Sequence, residues 1–281
     1  MTLGEWLETW LELYVYPNKL APSTKACYNR AVRSVPTSLR EEQLSSLSVL
    51  RVRRWLLEVA ETHPRAAQLD RLVLMRALNM AQKAGEAPPG RFDPDLLPQL
   101  VHEPAKAVVL NQAQMRAYME AAARTEAASV LLLCCCGCRR GEAWGARWEH
   151  IDLKAGTFAI VGQRVGNDFC PLKTKASARV IALPPAVTVI IRQQRRHLAG
   201  WVCDISQQRV YAAHRAALAA AKLPPVTLHG LRHSFATLAV VDGVPMKLVQ
   251  GALGHAHFAV TADLYADHLP SVSAVSARLF G

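Results

Sequence analysis

The chain has 281 residues, 51% of them hydrophobic, with a formal net charge of +11 and a pI near 9.6. That length can bury one large core or two smaller ones, while no charge-free run approaches the ~20 residues of a membrane-spanning helix. The opening Met1-Thr2-Leu3-Gly4-Glu5-Trp6 is acidic and amphipathic rather than basic and then apolar, which argues against a secretory signal and for a cytoplasmic protein, while the excess of positive charge favours a polyanionic partner.

Thr2 and Glu5 form a capping-box pattern that opens a helix with Leu3, Trp6, Leu7, Trp10 and Leu13 on one apolar face. Pro22-Ser23-Thr24 starts a second helix running to about Val35. Ser48 caps a third, with Val52, Trp55, Leu56 and Val59 inward, and Pro64 opens a fourth that runs to Lys83 and stops at Gly85. Four helices in residues 1–84 predict a small all-α domain. Residues 85–107 carry Pro88, Pro89, Pro94, Pro98 and Pro104 with little periodicity, which predicts an interdomain linker. A second domain is expected over 108–281. Asn111 caps a helix over Gln112–Arg124, the stretches 157–165 and 179–183 read as strands, and Lys173–Ala176 falls in a turn between strands. Helical patterns resume after Pro184, notably over 206–222 and 245–253. The fold class is therefore mainly α with a small antiparallel β-sheet, in two domains.

Residues 1–106 hold 14 Lys and Arg against 12 Asp and Glu, and the remainder 19 against 10. The stretch from Lys19 to Arg54 is nonetheless locally basic, so both halves offer cationic surface. Seven cysteines include the run Cys134, Cys135, Cys136 and Cys138. This run continues the apolar Val130–Leu133 and lacks the second pair that metal sites use, so it reads as buried small hydrophobes and no metal is expected. Their odd total, without a signal peptide, argues for reduced thiols.

Chemistry concentrates in four places. These are Gly137-Cys138-Arg139-Arg140-Gly141-Glu142, then Pro171-Leu172-Lys173-Thr174-Lys175, then Thr227-Leu228-His229-Gly230-Leu231-Arg232-His233, and finally Leu253-Gly254-His255 with Tyr265 ten residues on. Arginine suits a phosphodiester in substitution, because its planar fork donates two charge-assisted hydrogen bonds and stays protonated. His229 and Arg232 lie one helical turn apart, which puts both on one face. In order and context these motifs resemble the tyrosine recombinase (phage integrase) family.

The resemblance implies a two-domain clamp around duplex DNA, with a helical core-binding (SAM-like) domain and a mixed α/β catalytic domain. It implies Arg139, Lys173, His229, Arg232, His255 and Tyr265 as the catalytic set. Tyr265 is then the nucleophile of a 3′-phosphotyrosyl intermediate and Lys173 the general acid for the leaving 5′-oxygen, with Lys175 as runner-up. Glu142 is expected to orient an arginine, and His233 to be structural. Lys25, Arg30, Arg33, Lys175 and Arg179 are candidate DNA contacts. No cofactor is expected, since the intermediate conserves the bond energy and neither a P-loop nor an acidic metal-binding triad is evident.

The tail 271–281 carries Val272, Val275, Leu279 and Phe280 at helical spacing and is expected either to pack on its own domain or to dock on a neighbouring protomer. The resemblance implies the latter, in a chain that is a monomer in solution and a homotetramer on double-stranded DNA, with a possible accessory directionality factor. Two alternatives stay open at this point: a type IB topoisomerase, which shares the chemistry, and a DNA-binding protein without catalysis.

Overall fold

In the computed structural model, residues 1–90, 92–100, 108–172, 177–195 and 199–254 are described, and the chain divides into two units, Met1–Ala105 and Lys106–Gly281. The first unit begins with α1 (Leu3–Trp10). Thr2 Oγ1 accepts the Glu5 amide at 3.2 Å while Glu5 accepts the Thr2 amide at 2.8 Å, a reciprocal cap. Leu3, Trp6, Leu7 and Trp10 are buried as the pattern predicts, but Leu13 is 63% exposed, and Leu11 and Val15 point inward instead. The cause is a π-turn over Leu11–Val15, closed by the Tyr16 amide on the Leu11 carbonyl at 2.8 Å. The extra residue in that turn rotates the chain beyond it off the 3.6-residue stripe.

Helices α2 (Pro22–Ser34), α3 (Thr37–Arg40), α4 (Val49–Thr62) and α5 (Pro64–Lys83) complete this bundle. Ser48 caps α4 and Pro64 stands at the first position of α5. The buried Trp6 indole donates to the Ala77 carbonyl of α5 at 2.8 Å, satisfying its one polar group.

The expected linker needs correction where it is described. Ala87, Phe92 and Leu97 belong to the first unit's core. Arg53 and Gln68 donate to the carbonyls of Leu96 and Leu100 at 3.0 and 2.7 Å. Repeated prolines prevent a continuing helix, yet apolar residues between them can still pack.

The second unit contains α6 (Gln112–Ala122), α7 (Ala128–Cys135) and α8 (Arg140–Trp144), followed by β1 (Ile151–Asp152), β2 (Thr157–Ile160), β3 (Gly162–Val165), β4 (Asp168–Pro171) and β5 (Arg179–Ala182). Then come α9 (Pro185–Gln193), α10 (Gln207–Ala220), α11 (Leu228–Val241) and α12 (Met246–Leu253). Every residue of α7 is buried, so this helix runs through the centre of the core and has no polar face. The thiols of Cys134 and Cys136 are pushed up to about 12 by that burial, which makes them packing groups rather than nucleophiles.

Strands β1, β2 and β5 form one antiparallel sheet, with Ile160 opposite Arg179, and β3–β4 form a separate hairpin. The apolar stretch 157–165 therefore splits at Val161 into strands of two sheets. Gly162 opens β3, and the Phe169 ring of β4 packs where a Cβ on it would stand. Among the described residues no helix is long and apolar enough to cross a membrane.

Candidate active site

Arg139, Glu142 and Arg232 converge in the second unit. After α7 the chain turns at Gly137, whose φ of +87° and 2.8 Å approach to the Phe235 ring both exclude a side chain. Arg139 then caps α8. Its amide donates to Glu142 Oε2 at 2.8 Å, and its Nη1 donates to Oε1 at 2.7 Å. Its Nη2 donates to the Gly254 carbonyl at 2.9 Å. The side chain remains 35% exposed, so the guanidinium reaches solvent from an anchored base.

Arg232 comes from α11, which Thr227 caps by accepting the Gly230 amide. Its guanidinium is 2% exposed and donates to the Gly137 and Leu253 carbonyls, both at 2.7 Å. Burial and the nearby Arg139 lower its pKa to about 10, which still leaves it cationic at neutral pH. Glu142 Oε2 lies 3.9 Å from Arg232 Nη1, beyond hydrogen-bond reach.

Burial alone would raise the Glu142 pKa, but hydrogen bonds from Arg179 and Arg139 outweigh it and hold the carboxyl below the usual range. Arg179, expected among the DNA contacts, is instead turned into the protein onto Glu142. Its side chain is 7% exposed. Its Nη2 and Nη1 donate to the two Glu142 oxygens at 2.8 and 3.2 Å, and its Nε donates to the Ala252 carbonyl at 2.6 Å. Alternation along β5 is the signal that could have found this, since Arg179 lies two residues from the buried Ile181 and shares its face.

His229 stands on the first turn of α11, its ring 4.5 Å from that of His233 and at 88° to it. Desolvation of the ring side facing the protein, with His233, Arg232 and Arg139 adding positive charge, pushes it down to about 4. It is therefore neutral at pH 7. His229 and Arg139 line a cavity of about 520 Å³ together with Arg140, Tyr211 and Thr227. Arg140 donates to the Tyr211 hydroxyl at 2.5 Å across this cavity's wall.

His214 is a supporting residue that the motifs give no hint of. It is buried, with Nε2 on the Val226 carbonyl and Nδ1 on the Tyr118 hydroxyl, both at 2.7 Å. The first contact requires Nε2 to carry the proton, so Tyr118 donates to Nδ1. This fixes the segment that enters α11. Lys173, Lys175, His255 and Tyr265 lie outside the described residues, as does the tail 271–281.

In the first unit, Lys25, Arg30 and Arg33 all lie on α2. Lys25 Nζ donates to the Tyr16 carbonyl at 2.6 Å. Arg33 is exposed. Arg30 is 3.6 Å from the buried Asp70 and lines a cleft of about 1150 Å³ with His63, Arg65 and Arg71. Burial raises the Asp70 pKa, against the pull of Ser34 and Arg30.

A model of the phage integrase family matches residues 108–271. Among curated proteins, the chain is 32% identical over 141 residues to prophage integrase IntF of Escherichia coli K12, covering 48% of this chain and 29% of that protein. It is 24% identical over 169 residues to a XerC-like tyrosine recombinase of Caldanaerobacter subterraneus, covering 43% of that protein. These matches span less than half the length of either relative. Tyrosine recombinase XerC of Brucella melitensis is 30% identical over 283 residues, which covers 90% of this chain and 87% of the relative.

Among solved structures, the Tn1549 transposon integrase in complex with transposon right end DNA superposes with a TM-score of 0.74 at 17% identity, covering 99% of this chain and 98% of that one. A lambda integrase tetramer bound to a Holliday junction gives 0.69 at 19% identity over 92% and 78%. At such identities the structures establish a common fold, the mainly helical one expected. The family match over more than half of the chain settles the kinship: this protein belongs to the phage integrase family.

Proposed function

We propose that this protein is a site-specific DNA recombinase that cuts and rejoins strands through Tyr265, integrating or excising a phage or other mobile element. One observation supports this most directly. Three guanidiniums surround the single carboxylate of Glu142, an excess of two positive charges among the described residues. One of them, on Arg139, faces the cavity beside a neutral His229. Such a cluster favours an anion whose charge grows during reaction, as on the non-bridging oxygens of a five-coordinate phosphorus.

In the proposed step the Tyr265 hydroxyl oxygen bonds to phosphorus and the bond from phosphorus to the 5′-oxygen breaks. His229 takes the phenol proton, and Lys173 gives a proton to the departing 5′-oxygen. Arg139, Arg232 and His255 hold the phosphate. Reversal with a different 5′-hydroxyl rejoins the strand, and no cofactor enters. The roles of Lys173, His255 and Tyr265 rest on the family motifs. The same reading has the chain act as a homotetramer on double-stranded DNA, with the tail 271–281 docking on a neighbour, in the cytoplasm, and with direction biased by an accessory factor.

The test is a denaturing gel after mixing protein with nicked DNA from its own element's ends, without metal or ATP. A covalent band that maps to Tyr265 and vanishes in Tyr265→Phe is the expected result. Tight binding without any adduct would replace the proposal with a DNA binder that does not cut. Relaxation of supercoiled plasmid without strand exchange between sites would favour a topoisomerase.

A further inference from the structure

Glu142 has two oxygens and about four acceptor positions. Four donors meet them: the Arg139 amide and Arg179 Nη2 on Oε2, and Arg139 Nη1 and Arg179 Nη1 on Oε1, at 2.8, 2.8, 2.7 and 3.2 Å. The carboxylate is saturated, and Arg232 stays 3.9 Å from it, held by two carbonyls instead. Two of the four donors belong to Arg179, a residue on β5 rather than α8 and outside the cavity lining.

Arg179 also reaches the Ala252 and Ser177 carbonyls at 2.6 and 3.1 Å. A Cβ on Gly254, at φ +65°, would stand 2.9 Å from Arg179 Nη1. The helix end before His255 is therefore built around this guanidinium. Without Arg179, half of Glu142's acceptor capacity would face Arg232 across a gap of about one ångström beyond hydrogen-bond length. A buried ion pair of that kind would neutralise the arginine and draw it from its carbonyls.

We infer that Arg179 is a positioning residue: it saturates Glu142 so that Arg232 keeps its charge and direction for the phosphate, and it does not itself touch DNA. The inference rests on the recombinase reading above.

The experiment compares wild type, R179Q, E142Q and E142Q/R179Q for adduct formation on nicked DNA and for DNA affinity against salt. R179Q should cleave on the order of 10²-fold more slowly, as for a misdirected reacting group, with unchanged salt slope and affinity. The double variant should cleave faster than R179Q alone, because the carboxylate that captures Arg232 is gone.

R179Q cleaving at the wild-type rate would overturn the inference. So would a double variant as slow as R179Q or slower, which marks a plain brace. A salt slope lower by about one would place Arg179 on a phosphate and overturn it as well. If R179Q fails to show a cooperative melting transition, R179K and E142Q/R179K are compared by the same criteria.

Failure of the recombinase reading is seen separately, as no adduct with wild type. The inference is then decided by inorganic sulfate, which should raise the melting temperature of wild type more than that of R179Q and regain its effect in the double variant. Equal shifts in all three would overturn it.

Discussion

The two units each gather arginines, and they hold them in opposite ways. In the first unit Arg30 and Arg65 stand exposed on α2 and α5 around an open cleft, with the buried Asp70 as Arg30's carboxylate neighbour. In the second, Arg179 and Arg232 are buried, and their donors are assigned to named oxygens. Exposed guanidiniums attract a phosphate backbone through water and lose strength with salt. Buried, oriented ones need little reorganisation when charge develops and are screened less. On the proposed recombinase reading, cationic charge would contribute affinity in the first unit and preorganisation in the second.

The largest expected effect that would break this contrast lies at Arg232. Arg232→Gln should lower the rate of adduct formation on the order of 10²- to 10³-fold while DNA affinity stays near wild type. A loss of binding equal to the loss of rate, measured by gel shift and single-turnover cleavage, would make Arg232 an ordinary affinity contact.

Next comes Gly254→Ala. The left-handed backbone and the Arg179 contact together should cost at least about 1–2 kcal/mol in a denaturant titration. Cleavage should fall further than stability alone accounts for, since Arg139 Nη2 binds the Gly254 carbonyl.

The opposite signature is expected in the first unit. Arg30→Gln with Arg65→Gln should weaken binding and flatten the plot of log affinity against log salt by about 0.9 for each phosphate contact removed. The cleavage rate of bound DNA should not change. An unaltered slope would show that the cleft does not face the backbone.

The smallest effect concerns pH. Because the folded His229 titrates at about 4 against an ordinary 6.5, the folded state binds fewer protons between those values. Stability is then unaffected above pH 6.5 and declines as pH falls from there through 4. His233 and His214 are shifted in the same direction. The fall in melting temperature from pH 7 to pH 5 should shrink in His229→Gln, and an identical fall would remove His229 from the titrating set.

Much of this was legible in the residues. Thr2, Ser48 and Asn111 all cap helices where their side chains suggest, because capping involves groups only two or three residues apart. The spacing of His229 and Arg232 on one helix follows for the same reason. Leu13 misled because a π-turn changes the period without changing the composition. The linker misled because proline content reports on helix continuation and not on packing.

Arg179 is the instructive case: the sequence places it among the candidate DNA contacts, and only its two-residue spacing from Ile181 hinted at burial. The sequence by itself determined the family, the mainly helical class and the start of most helices. Tertiary structure alone decided which oxygens the arginines hold. Arg179 meets Glu142 across 37 residues, Arg232 meets Gly137 across 95, and Arg139 meets Gly254 across 115. Helix periods and caps are settled within a turn of chain, whereas the partner of a buried charge depends on which distant segments the core brings together.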